Sequence, residues 1–172
     1  MKQRTVESLA ELEHLEGLVT AAAVQTLTRL RGDLLATPGL AALARLKFEP
    51  VGCDPLAIDR ALNFVEQLNQ SFTYLATFAA ARRLFALHPT HAPFRLNLGT
   101  AGGSDIESVD GQVAAETFAA THPDSNDKLR RDVAKVRLAP ARHRYVFYLS
   151  PHVATVALPD VTVVRLDYAY ER

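Results

Sequence analysis

Asp105, Glu107 and Glu116 are the residues of this chain whose types and spacing could do chemistry together. They lie in residues 99–118, GTAGGSDIESVDGQVAAETF, on either side of Asp110-Gly111. That dipeptide suits a two-residue type I′ turn, in which both positions take positive φ. Folding the arms back about it sets Val109 opposite Gln112, Glu107 opposite Ala114 and Asp105 opposite Glu116. Directly opposed residues point the same way, and alternate residues share a face. The three carboxylates are therefore expected on one face of a hairpin. Like charges opposed across a ladder are unfavourable, and a divalent cation with oxygen ligands would offset them. A solvent-facing hairpin with hydrated charges is the alternative.

The elements that must position this hairpin follow from hydrophobic periodicity. Residues 5–31 read as helix, with Leu9, Leu12, Leu15 and Val19 at three- and four-residue steps and Gly17 as a candidate break. A short helix is expected over residues 40–46, after the turn signal Thr37-Pro38-Gly39. Asp54-Pro55 reads as a helix start, a capping carboxylate followed by proline at the first helical position. From there one long helix is expected to residue 87, with Leu62, Val65, Leu68, Phe72, Leu75 and Phe78 as its apolar stripe and Glu66 and Gln67 either solvated or reaching a site. His88-Pro89 ends it. Residues 94–98 alternate as a half-buried strand. Residues 127–138 form an amphipathic helix: Leu129, Val133 and Val136 face in, and Lys128, Arg131 and Lys135 share another face. Residues 142–150 and 161–168 read as strands. The predicted fold class is α/β, a mixed sheet flanked by helices. Residues 1–53 are expected as an N-terminal helical extension packed on a core of residues 54–172, one compact domain overall.

Asp105 followed by Glu116-Thr117-Phe118, with a long helix and strand before and a helix and strand after, resembles the PD-(D/E)xK nuclease superfamily. That family places an aspartate near the start of the second core strand and Glu/Asp-x-Lys on the third. The resemblance covers roughly residues 54–150. Gly102-Gly103-Ser104 before the aspartate and Val113-Ala114-Ala115 before the glutamate match the family's habit. It implies a restriction-endonuclease-like fold and Mg2+ (or Mn2+) held by Asp105 and Glu116, with Glu107 as an accessory ligand. It implies hydrolysis of nucleic-acid phosphodiesters, in which metal activates water and a lysine positions the nucleophile. The family's lysine falls at Phe118. Some members carry it on the helix after the third strand, so Lys128 is expected to replace it, with Lys135 next. The implied catalytic set is Asp105, Glu116 and Lys128. A non-catalytic interaction or scaffold protein that retains the fold is the other reading, and Phe118 favours it.

Lysine plus arginine equals aspartate plus glutamate at 19 each, so nucleic acid would have to be held by a local patch. Residues 127–144 carry Lys128, Arg130, Arg131, Lys135, Arg137, Arg142 and Arg144, of which Arg131 and Lys135 are the expected phosphate contacts. A solvated surface is the plainer reading of such a run. Cys53 is the single cysteine, so neither an internal disulfide nor a thiolate zinc cluster forms within one chain. Residues 72–87 are apolar but short and interrupted by Arg82-Arg83, and the first residues lack a signal-like apolar run, so a cytoplasmic protein without membrane contact is expected. The glycine-rich link at residues 99–104 lacks the Gly-Lys-Ser/Thr ending of a phosphate loop. The six histidines show no HxH or HExxH spacing, and Ser104 and Ser108 sit in no nucleophile elbow. The sequence leaves the oligomeric state open, a homodimer included.

Overall fold

A computed structural model describes residues 3–36, 38–99, 102–156 and 158–167. Thr37, Thr100, Ala101 and Tyr168, on which parts of the expected turn, glycine link and last strand fall, lie outside the described residues. The chain divides into two compact units, Met1–Leu12 with Ala76–Arg172, and Glu13–Leu75.

The first unit holds a six-stranded mixed sheet. Its strands are β1 (Gln3–Val6), β4 (Phe94–Asn97), β5 (Ile106–Ser108), β6 (Val113–Ala119), β7 (His143–Leu149) and β8 (Thr162–Leu166), in that spatial order. Pairing is antiparallel from β1 through β6. It is parallel from β6 to β7 and from β7 to β8. Helix α4 (Lys128–Arg137) is the crossover between the parallel strands β6 and β7, the connection such a pair requires. Its Leu129, Val133 and Val136 pack with Ala114, Phe118, Val146 and Tyr148 on one sheet face. The C-terminal part of α3 (Phe64–Leu87) meets the other face, where the Thr77 and Thr117 hydroxyls lie 2.8 Å apart and Phe85 stands edge-on to Phe94. β6 is buried from Val113 through Phe118, so its alternate residues serve both layers.

The sequence reading places this architecture in the right class and misplaces several boundaries. Residues 3–6 are strand where helix was expected from Thr5. Only Val6 of the four is buried, too little pattern to separate from the helical periodicity that follows. Helix α1 (Leu9–Ala36) starts later, where the Ser8 hydroxyl accepts the Glu11 amide at 3.3 Å. It runs through Gly17 without the expected break. Helix α2 (Gly39–Phe48) is close to its expected span and buries none of its residues.

The larger correction concerns Asp54-Pro55. Instead of opening a helix, residues 52–62 form a hairpin in the second unit, β2 (Gly52–Asp54) against β3 (Ala57–Leu62). The Asp54 carboxylate accepts the Leu56 amide at 3.0 Å, the local bond with which aspartate favours a turn. Arg60 and Gln70 also donate to it, at 3.3 and 3.1 Å. Helix α3 starts at Asn63, whose side chain accepts the Glu66 amide at 2.8 Å while Glu66 reaches back to the Asn63 amide at 3.3 Å. This reciprocal box satisfies two orphan donors of the first turn. The buried face also differs from the expected stripe: Leu68 is 43% exposed, whereas Gln67, Ser71 and Tyr74 are buried. Gln67 is a structural hub. Its Oε1 accepts from Thr26 Oγ1 at 2.8 Å and Cys53 N at 3.0 Å, and its Nε2 donates to Ala22 O at 3.2 Å. A β-carbon on Gly52 would overlap this carboxamide, so Gly52 leaves the room it occupies.

Replacing Gln67 by methionine keeps the volume and deletes three hydrogen bonds, leaving buried partners unmet. A loss of about 2–3 kcal/mol is expected, read as a lower urea midpoint for the transition, whereas Asn63→Ala should cost about 1 kcal/mol.

Candidate active site

The hairpin keeps the expected register through a different turn. Glu107 pairs with Ala114 and Ile106 with Ala115, which is the alignment that sets Asp105 against Glu116. Only Gly111 takes positive φ, at 74°, so the reversal is not type I′. The Gly111 amide instead bonds the Ser108 carbonyl at 3.0 Å, closing a turn whose central residues are Val109 and Asp110. Gly111 then supplies the left-handed step that realigns the arms. Asp110 Oδ1 accepts from Ser108 Oγ at 2.6 Å and Gln112 N at 3.1 Å, stiffening the loop.

Two of the three expected acids converge. Asp105 Oδ2 accepts the Thr117 amide at 2.8 Å and the Thr117 hydroxyl at 3.3 Å, which anchors it beside β6. Glu116 projects from the middle of β6 on the α4 side, where its side chain is 1% exposed. Lys135 reaches both, with Nζ 2.6 Å from Glu116 Oε2 and 3.6 Å from Asp105 Oδ1. Glu107 does not join them. Its Oε1 turns back to the Ser104 amide at 3.0 Å, a local bond that closes the glycine-rich approach.

The expected replacement lysine, Lys128, lies against a different acid. Lys128 Nζ binds Asp132 Oδ1 at 2.6 Å and lies over the Phe118 ring, 5.7 Å from its centre. Lys135, held as second choice and as a phosphate contact, is the lysine that meets Glu116. Arg131 is exposed and donates to the Asn126 carbonyl at 2.9 Å. Phe118 itself packs in the core, stacked on Tyr148 with ring centres 5.7 Å apart. Asp132, which the sequence offers only as an acid within the basic stretch, was given no place in the site. Lys128, Asp132 and Lys135 fall at steps of four and three residues on α4, one face of a helix. A lone buried acid on a basic helix is the signal that could have found it.

The electrostatics follow from this crowding. Burial pushes the Glu116 carboxyl up to about 7, the Asp105 charge adds to the rise, and Lys135 opposes it. Burial also raises Asp132 against the pull of Lys128. Burial alone would lower the Lys135 ammonium, but its bond to Glu116 and the charges of Asp105, Glu116 and Asp132 outweigh that and hold it above its ordinary value. Among the described residues, Glu116 Oε1 and Asp132 Oδ2 are buried without a hydrogen-bond partner. Such orphans are rare in native interiors and mark places where a further group can bind. The arrangement combines two carboxylates, one of them with its proton affinity raised toward neutrality, and an ammonium within reach of both.

No protein-family model matches this chain, and neither curated proteins nor solved structures give a significant match. Among the described residues, no helix is long and apolar enough to cross a membrane.

The sign of the pH effect is set by Glu116. Its folded value near 7 lies above the ordinary 4.5, so the folded chain holds a proton that the unfolded chain has released. Stability is then expected to fall as pH rises from about 4.5 to 7, by on the order of 3 kcal/mol. Thermal melts of wild type and Glu116→Gln over pH 5–8 check this: the slope should shrink in the variant.

Proposed function

We propose that Asp105, Glu116 and Lys135 form the hydrolytic centre of a restriction-endonuclease-like domain acting on nucleic-acid phosphodiesters. The observation that carries this reading is Glu116: a carboxylate interior to a central strand, with one oxygen on Lys135 and the other unpartnered. Support comes also from the order of elements, a helix, three antiparallel strands, a helix and a parallel strand over residues 64–149. Asp105 and Glu116 would hold Mg2+ or Mn2+, because both offer oxygen donors of the kind these ions prefer. Bound there, the ion supplies water activation and stabilisation of phosphoryl charge.

The chain's own groups do the rest. Lys135 delivers from α4 the ammonium that Phe118 cannot, and orients the attacking water while countering the growing charge on phosphate. Thr117 fixes the Asp105 carboxylate through two hydrogen bonds, leaving Oδ1 directed to the centre. Arg131, exposed on α4, would meet the phosphate backbone.

A second reading keeps the fold and drops the chemistry. Lys135 already neutralises Glu116 from 2.6 Å, as an internal counter-ion in a scaffold would. Cleavage of single-stranded and plasmid DNA with Mg2+ or Mn2+ separates the two. Hydrolysis is expected in wild type, with a loss of about 100-fold or more in Asp105→Ala and Lys135→Met, while Arg131→Ala weakens binding and its salt dependence. Activity indifferent to Asp105→Ala overturns the assignment. No cleavage, together with no saturable heat on Mg2+ titration, selects the scaffold.

A further inference from the structure

His88, His91 and His143 converge although 52 residues separate the last two in sequence, from 91 to 143. His88 follows the end of α3, His91 closes the short 3₁₀ turn Pro89–His91, and His143 opens β7. One ring nitrogen from each lies within 4.8 Å of the others. Ring centres are 4.5 Å apart for His88 and His143, 5.7 Å for His88 and His91, and 5.9 Å for His91 and His143. All three rings are partly buried, not splayed into solvent.

We propose that His88, His91 and His143 bind one transition-metal ion, Zn2+ by ligand type, at a site distinct from the Asp105–Glu116–Lys135 centre. Imidazole suits Zn2+ and its neighbours rather than Mg2+. Three protein nitrogens leave a fourth tetrahedral position for water. Bonds of about 2.0–2.1 Å would draw the nitrogens to about 3.3 Å from one another, a small side-chain adjustment from the spacing observed.

Two of the ligands are already oriented by outer partners. His91 Nδ1 lies 2.7 Å from Asp110 Oδ2. An ionised carboxylate can only accept, so in this contact His91 Nδ1 carries the proton and donates it to Asp110. That leaves Nε2 of His91 as the metal-facing lone pair, in the carboxylate–histidine arrangement that accompanies most histidine ligands. His88 Nε2 lies 2.7 Å from the Tyr145 hydroxyl. With Nδ1 on a metal, Nε2–H donates to that oxygen. The ion would tie three separate segments: the end of α3, the 108–112 loop through Asp110, and the first residue of β7.

Zinc titration of metal-free full-length chain by calorimetry tests the proposal, with Co2+ absorption as a second readout of coordination. One ion per chain is expected, together with visible Co2+ bands of tetrahedral intensity and a higher melting temperature. His91→Ala, on a short exposed turn, should abolish saturable uptake, and Asp110→Asn should weaken it by about tenfold or more. His122→Ala and Glu116→Gln should bind as wild type does. Because Glu116→Gln disables the other centre, its zinc binding separates failure here from failure there. The proposal is overturned if wild type takes up no zinc, or if His91→Ala and a folded His143→Gln bind it as tightly as wild type.

Discussion

The pairing of Lys135 with Glu116 is the constraint around which the charged layer of the first unit is arranged. A carboxylate withdrawn from water costs several kcal/mol unless a counter-charge and hydrogen bonds compensate it. Glu116 sits mid-strand in β6, where neither side of the sheet offers water. Its compensation comes from across the layer, along the lysine stem from α4, at 2.6 Å. The compensation is incomplete, since three carboxylates share two ammonium groups and two of the buried oxygens have no partner. That shortfall raises Glu116 toward neutrality and makes the centre receptive to further positive charge.

The opposite face of β6 supplies the restraint. Thr77 of α3 meets Thr117, and Thr117 in turn meets Asp105, so a short relay of hydroxyl and amide bonds runs from a helix through the central strand to the hairpin acid. One strand thus presents Glu116 to α4 and Thr117 to α3. Strand alternation separates the tasks: one side carries charge, the other holds the geometry around it.

The parts legible in sequence are those governed by local pattern. The hairpin register could be read because the expected turn and the observed one, a turn over Val109-Asp110 followed by left-handed Gly111, centre the arms on the same dipeptide, so the error in turn type leaves the pairing unchanged. Helix α4 was visible because Leu129, Val133 and Val136 repeat at helical spacing. What stayed hidden depends on groups brought together from far apart. Asp54 has equal local reasons to cap a helix or close a turn, and Arg60 and Gln70 join it only in the turn. Glu107 alternates correctly with Asp105, yet the nearby Ser104 amide claims it. Lys128 reaches Asp132 whereas Lys135 reaches Glu116 and Asp105, a pairing that no spacing reveals. The histidine cluster needs the ends of α3 and β7 to be neighbours.

Helix α4 has a further property that follows from its ten residues. Each residue along a helix turns its side chains by about 100°. Slipping α4 by a single position would swing Val133 and Val136 out of the apolar layer and carry Lys135 away from the acids in the same movement. Greasy packing therefore proofreads the placement of charge: a one-residue slip exposes the apolar face and sends the ammonium astray together.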